Sequence, residues 1–126
     1  MFSFSKKKDT AKTTLARQLI TVREPKSIVS EQFKTIRTNI NFSMPDEDLR
    51  TIVITSTTPG EGKSTSSSNI AVVFAQSGKK VLLVDCDSGM RGLDLMLGVE
   101  NELVYDVSDA VEGGCDTEAA IYSAQS

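Results

Sequence analysis

The stretch TIVITSTTPGEGKST, residues 51–65, carries the strongest structural signal in the chain. Its first part, 51–55, is a β-branched run of the kind that forms a short buried strand. A glycine-rich loop follows, and residues from about 63 to 77 then have the apolar spacing of a helix that packs on a sheet. A strand, a glycine-rich loop and a helix in this order predict a site for phosphate groups.

Each residue type in the loop has a physical task in phosphate binding. Glycines let the backbone wrap closely and turn its N–H groups toward phosphate oxygens. The helix that begins near Lys63 directs the positive end of its dipole at the anion. Lys63 can reach the β- and γ-phosphates, and Ser64 can offer its hydroxyl to Mg²⁺. The predicted nucleotide-binding residues are Pro59, Gly60, Glu61, Gly62, Lys63, Ser64 and Thr65.

One position departs from the general phosphate-loop pattern, because Thr57 stands where that pattern has glycine, five residues before Gly62. A Gly-Lys-Ser turn at the start of a helix can also arise by chance. The strand before the loop and the helix after it are the context that the motif requires, and they favour the phosphate-binding interpretation.

A second apolar run, 81–84, predicts another buried strand, which ends in Asp85 and Asp87. Two strands joined by a helix predict a parallel sheet covered by helices, with ligands at the carboxyl ends of the strands. Two carboxylates there can hold Mg²⁺ through water and accept a proton from an attacking hydroxyl, although they can also be plain exposed strand-end acids. Because side chains alternate along a strand, Cys86 is expected to point into the core.

The two ends of the chain differ in charge. Residues 1–26 hold seven Lys and Arg against two acids, a net charge of +5, whereas residues 99–126 hold seven acids and no base. We predict a flexible basic arm at 1–26, with Leu15, Leu19 and Ile20 as a short docking patch. A partial phosphate-loop domain follows at 27–126; it begins with an amphipathic helix over about 28–42 and has a further helix at about 105–111.

Composition excludes several classes of function. The 126 residues include no histidine, which excludes histidine-based triads and most zinc catalysis. Two cysteines, Cys86 and Cys115, make neither a disulfide framework nor a zinc site. No stretch approaches the ~18 apolar residues of a membrane span, and no signal peptide is recognisable, so we expect a cytoplasmic protein.

The chain resembles the bacterial tyrosine kinases (BY-kinases), which include the kinases of Gram-positive capsule and exopolysaccharide export. The similarity lies in SEQFKTIRTNI (30–40), ITS (54–56), the loop at 59–65 and VLLVDCD (81–87). It implies an α/β fold, a P-loop NTPase of the SIMIBI type with an incomplete three-layer parallel sheet. It also implies that the chain binds ATP and Mg²⁺ to phosphorylate protein tyrosine, with Lys63, Asp85 and Asp87 as catalytic residues and Ser64 and Asp87 at the metal.

The same resemblance implies partners. The family's Glu-x-x-Arg-x-x-Arg motif for subunit contacts reads Glu31, Lys34 and Arg37 here, and lysine at the middle position cannot make a bidentate contact. A solvated helix face explains these residues equally well. The family implies a membrane activator of the polysaccharide co-polymerase type, a protein tyrosine substrate, a homo-oligomer and no nucleic acid. The chain would then lie at the inner face of the membrane through its partner.

From residue 88 the resemblance changes. SGMRGLDLMLGVEN (88–101), VYD (104–106) and DAVEG (109–113) look like the MinD family of cell-division-site ATPases, although Thr58 stands where that family has its signature lysine. Both families have a later strand with a Walker B acid, which implies that this chain is truncated or chimeric. Three hypotheses remain: a tyrosine kinase, a MinD/ParA-type ATPase, and a non-catalytic nucleotide-binding fragment.

Overall fold

The computed structural model describes residues 1–4, 19–44, 49–87, 92–99 and 101–124. Expectations for Leu15, for the rest of 5–18 and for 88–91 lie outside these residues. The described parts of the chain contain helices and three short strands. The helices are α1 (Ile20–Arg23), α2 (Ile28–Ser43), α3 (Lys63–Gln76), α4 (Gly92–Leu97), α5 (Val107–Val111) and a 3₁₀ helix at Thr117–Ala120.

The helix after the glycine-rich loop has the predicted bounds. α3 begins after Gly62 and ends at Gln76, and its buried face includes Val72 and Val73. Gly78 follows with a φ of 90°, which favours glycine over any residue with a side chain. The N–H groups of Gly78 and Lys79 donate to the carbonyls of Ala75 and Phe74, at 2.9 and 3.2 Å. This is a Schellman ending, and it satisfies carbonyls that the helix leaves without partners.

The predicted amphipathic helix is confirmed as α2. Ser27 is its N-cap, and the Ser27 hydroxyl accepts a hydrogen bond from the backbone N–H of Ser30 at 3.2 Å. α2 packs against α3, where Arg37 Nη1 donates to the Val73 carbonyl at 2.8 Å. Since Val73 is in the last turn of α3, this guanidinium also lies at the negative end of the helix dipole.

The three strands form one sheet with the order β2-β1-β3, in which β1 (Phe2–Phe4) is the central strand. β1 runs antiparallel to β2 (Val81–Leu83) and parallel to β3 (Tyr122–Ala124), so the sheet is partly parallel. Phe2 and Phe4 are 3% and 1% exposed. The core around them consists of Phe2, Phe4, Leu19, Ala71, Val72, Ala75, Leu93, Leu97, Val99 and Ala124.

The arm prediction is therefore wrong for part of its range. Residues 2–4 were expected to lack regular structure, and they form the central strand because two phenylalanines on one face supply apolar area to the core. Leu19 is buried too, and the short helix α1 directly after it packs on α2 and α3.

The prediction of a buried strand at 51–55 is also wrong. These residues have no strand assignment, and Ile52 and Val53 are 44% and 81% exposed. A β-branched run becomes a strand only where a neighbouring strand completes its hydrogen bonds. Residues 51–55 were expected to lie in one sheet with β2, but the strand that pairs with β2 is β1. Residues 51–55 thus combine high β-propensity with a place outside the sheet.

The second predicted strand is confirmed as β2, but it is shorter and less buried than expected. Leu82 is 50% exposed, and Val81 and Leu83 are half-buried. Cys86 is exposed rather than in the core, because β2 ends at Leu83 and the alternation of side chains does not extend to residue 86. A thiol at this position faces solvent.

Replacing Val53 by lysine tests the exposure of 51–55. Because this side chain is already in solvent, we expect the free energy of unfolding to change by less than about 0.5 kcal/mol in urea titrations. Val111→Lys is the matched control, since Val111 is equally exposed at 81%. A loss of more than about 2 kcal/mol for Val53→Lys alone would mean that 51–55 is buried in the sheet.

Candidate nucleotide-binding site

The loop at 59–65 has the backbone that a phosphate cradle requires. Gly60 and Gly62 have φ values of 80° and 85°, in the left-handed region that favours glycine. A Cβ atom built on either glycine meets no atom within 4 Å, so the space beside these two glycines is open. Gly62 is the N-cap of α3, whose first N–H groups have no carbonyl one turn earlier and are available to an anion.

Lys63, the first residue of α3, folds back over the loop. Its ammonium donates to the Ser56 hydroxyl at 2.6 Å and to the Thr58 carbonyl at 3.2 Å. The ammonium of Lys63 is therefore held by two oxygens of the loop itself. Binding of a nucleotide would exchange these neutral partners for charged ones, which form stronger hydrogen bonds.

Glu61 joins the same loop network. Hydrogen bonds from the hydroxyls of Thr58 and Ser56 lower the pKa of its carboxyl. The Glu61 carboxylate thus accepts hydrogen bonds from the same two residues to which Lys63 donates. Neither Ser56 nor Thr58 was predicted to belong to the site, because the loop motif assigns no task to a hydroxyl before its proline.

Ser64 faces the beginning of α4. A Cβ atom placed on Gly92 would lie 3.6 Å from the Ser64 hydroxyl oxygen. Two residues further along the same helix, Asp94 is buried and lines a small cleft with the two predicted acids. The short helix α4 therefore connects the loop side of the molecule to the acidic side.

Asp85 and Asp87 lie together, and the backbone N–H of Asp87 donates to the Asp85 carboxylate at 3.0 Å. They line a cleft of about 50 Å³, far below the roughly 300 Å³ of a small-molecule site. The remaining lining residues are Met1, Phe2, Asp94, Leu103, Asp106 and Val107, so neither Lys63 nor Ser64 reaches it among the described residues. The structure brings the two acids together and places the loop lysine elsewhere.

The amino group of Met1 contributes a positive charge to the acidic cleft. It donates to the Ala120 carbonyl at 3.1 Å. Burial lowers the pKa of this ammonium, and the nearby carboxylates of Asp85 and Asp106 act in the opposite direction. No sequence pattern indicated the contact of Met1 with Ala120, since it depends on β1 lying beside β3.

The described residues include no group of three or more acidic or cysteine side chains that could hold a metal ion. At nucleotide sites a Mg²⁺ ion takes most of its ligands from phosphate oxygens and water. The open glycine loop and the Ser64 hydroxyl at the second position of α3 fit such an ion with its nucleotide.

The predicted subunit-contact residues make contacts within the chain. The Lys34 ammonium lies 2.6 Å from the Glu31 carboxylate and donates to the Pro25 carbonyl at 2.9 Å. Arg37 holds the end of α3, as described above. A subunit contact through these three side chains stays a prediction, and Arg37 would have to give up its bond to Val73 or share it.

Cys115 supplies a pH-dependent prediction. Partial burial, followed by the carboxylates of Asp109 and Asp116, raises the pKa of its thiol. Only the thiolate reacts with maleimide, so we expect Cys115 in a Cys86→Ser variant to be alkylated slowly at pH 8 and faster as the pH rises past 9. Equal rates for Cys115 and a small-molecule thiol across this pH range would contradict the shift.

A glycine-rich loop that opens a long helix, with acids following a strand of the sheet, is part of the P-loop NTPase arrangement, although the strand expected before the loop is not formed. Residues 52–114 match the CobQ/CobB/MinD/ParA nucleotide binding domain, which is half of the chain. The chain therefore belongs to this family, and the predicted α/β P-loop fold class is confirmed.

Individual relatives come from two branches. The tyrosine-protein kinase YwqD of Bacillus subtilis (strain 168) is 58% identical over 73 residues, which are 58% of this chain and 31% of that protein. The septum site-determining protein MinD of Helicobacter pylori (strain ATCC 700392 / 26695) is 50% identical over 70 residues, 56% of this chain and 26% of that protein. MinD of Bacillus subtilis is 49% identical over 70 residues.

The chain thus spans less than a third of the length of these relatives. No solved structure matches it. Among the described residues, no helix has the length and apolar character to cross a membrane. The predicted resemblance to both the tyrosine kinases and MinD is confirmed.

Proposed function

We propose that this chain binds ATP with Mg²⁺ through residues 59–65 and acts in protein-tyrosine phosphorylation for capsule or exopolysaccharide synthesis. The observation that carries the proposal is the open loop of Gly60 and Gly62 at the start of a 14-residue helix, with the Lys63 ammonium folded over it. The identity of 58% to a protein named a tyrosine kinase supports the choice of reaction.

The chain's own residues would share the work in the following way. The N–H groups at the start of α3 hold the phosphates, and Lys63 leaves Ser56 to neutralise charge on the β- and γ-phosphates. Ser64 would bind Mg²⁺, which supplies positive charge across the phosphates when present. Asp85 or Asp87 would accept the proton of the incoming tyrosine hydroxyl.

The acids and the loop are separate in this structure, and helix α4 lies near both of them. A Cβ atom placed on Gly92 would lie 3.6 Å from the Ser64 hydroxyl oxygen, and Asp94 on the same helical turn lines the cleft of Asp85 and Asp87. Since neither Lys63 nor Ser64 lines that cleft, the proposal requires α4 to shift so that the acids and the loop approach each other when ATP binds.

The proposed partners follow from the resemblance to the bacterial tyrosine kinases. They are a membrane activator of the polysaccharide co-polymerase type, a protein tyrosine substrate and further copies of the chain, with no nucleic acid. This would place a cytoplasmic chain at the inner face of the membrane. Because the chain spans less than a third of its relatives, a non-catalytic nucleotide-binding fragment is the alternative.

The test has two stages. Calorimetry with ATP and Mg²⁺ should show saturable binding; its absence would overturn the proposal at the first step. Incubation with labelled ATP and the membrane activator should then give phosphotyrosine. If nucleotide binds and no phosphotyrosine forms, the kinase assignment fails and the non-catalytic fragment is supported.

A second candidate function is a MinD/ParA-type ATPase, which the 50% and 49% identities to two MinD proteins favour. Such an ATPase would form dimers when ATP binds. Light scattering at saturating ATP and Mg²⁺ should then show twice the mass of the nucleotide-free chain. A monomer under these conditions would count against this candidate.

A further inference from the structure

Two fully buried polar side chains join α1 to α3. Thr21 and Asn69 are each 1% exposed. The Asn69 side-chain oxygen accepts hydrogen bonds from both the hydroxyl and the backbone N–H of Thr21, at 2.7 and 3.2 Å. A backbone N–H can only donate, so this pair of bonds fixes which end of the Asn69 amide is the oxygen.

The other end of the same amide reaches the phosphate loop. The Asn69 side-chain nitrogen donates to the Thr65 carbonyl at 2.8 Å. Thr65 is the third residue of α3 and the last residue of the glycine-rich motif. A continuous chain of hydrogen bonds therefore runs from α1, through one buried side chain, to the first turn of α3, whose N–H groups would face a bound phosphate.

We infer that Asn69 is a positioning residue that couples the segment around Thr21 to the first turn of α3 and so adjusts phosphate affinity. This rests on the proposed nucleotide binding. Thr21 lies in the segment before α2, outside the matched range 52–114. A chain with this coupling can sense at its phosphate loop whether α1 is docked.

A second bond between the same two elements provides a matched comparison. The Gln76 side-chain nitrogen donates to the Thr21 carbonyl at 3.2 Å. Gln76 is the last residue of α3, so this bond holds α1 to the helix at the end far from the loop. A purely structural role predicts equal effects of losing either bond, whereas the positioning role predicts an effect at the loop for the Asn69 bond alone.

The experiment uses the full chain with Thr21→Val, which removes the hydroxyl and keeps the shape, and Gln76→Leu as control. We expect Thr21→Val to weaken ATP–Mg²⁺ binding by about threefold to tenfold, the range for one hydrogen bond, and Gln76→Leu by less than about twofold. Thr21→Ser keeps the hydroxyl and should restore affinity. Both Thr21→Val and Gln76→Leu should lower the melting temperature to a similar degree.

Hydrogen exchange without nucleotide gives an independent readout. The amides of residues 66–69, in the turn that follows Thr65, should exchange faster in Thr21→Val than in Gln76→Leu. Equal exchange and equal ATP affinity in the two variants would overturn the inference. If the unmodified chain binds no ATP, the proposed function fails, and the exchange comparison alone then decides whether the coupling exists.

Discussion

Lys63→Ala is expected to weaken ATP–Mg²⁺ binding by on the order of 100-fold, the largest loss from any single loop substitution, because a charged hydrogen bond to phosphate is removed. Stability should change little, since the Lys63 ammonium bonds only to half-buried or exposed loop oxygens. Calorimetry gives the affinity, and urea titration gives the free energy of unfolding.

Lys79→Ala is the matched control for this substitution. Lys79 is exposed just beyond the C-terminal end of α3, and the hydrogen bond of Lys79 to Phe74 uses its backbone N–H, which alanine keeps. Its affinity for ATP should equal that of the unmodified chain. Equal affinities for Lys63→Ala and Lys79→Ala would show that the loop does not bind phosphate through Lys63.

Phe4→Ala is expected to cost about 3–5 kcal/mol in the free energy of unfolding, the typical range for removing a buried aromatic ring. Phe4 is 1% exposed on the central strand, and its loss would leave a cavity between both neighbouring strands and the helices over them. A small domain has only about 5–15 kcal/mol in total, so this variant should be largely unfolded at mild urea concentrations.

Phe42→Ala provides the comparison, because Phe42 is 76% exposed near the end of α2. We expect a change within about 0.5 kcal/mol for this second phenylalanine. Similar losses for Phe4→Ala and Phe42→Ala in urea denaturation would contradict the placement of residues 2–4 in the sheet.

The helices could be predicted because their signals are local. Ser27 as a cap, Gly62 before α3 and Gly78 after it each fix a helix end within one turn of the chain. α5 begins at Val107, two residues later than predicted, because Asp106 caps it by accepting from the N–H groups of Ser108 and Asp109. The capping aspartate itself lies outside the helix.

The sheet could not be predicted because its pairing is non-local. A strand of three residues at 2–4 has no periodicity to detect, and its partners lie about 80 and 120 positions away. The run at 51–55 has the stronger local signal and is not a strand. Strand propensity describes which residues suit a sheet, and only the whole chain determines which segments enter it.

For the candidate site, the motif identified the loop residues but not their present partners. The contacts of Lys63 with Ser56 and Thr58 depend on how the loop closes on itself. Asn69 carries no motif, and its position in the hydrogen-bond chain appears only when α1 packs on α3. The pairing of Asp85 with Asp87 was expected from the strand end, whereas their cleft with Asp94 and Asp106 required the tertiary fold.

The central place of β1 has a consequence for synthesis. Residues 2–4 leave the ribosome well before their parallel partner, 122–124, which is made some 120 residues later. Throughout that interval two phenylalanines that belong in the core have no finished core to enter. A nascent chain that exposes its apolar strand for this long needs either a chaperone or rapid helix formation to avoid aggregation.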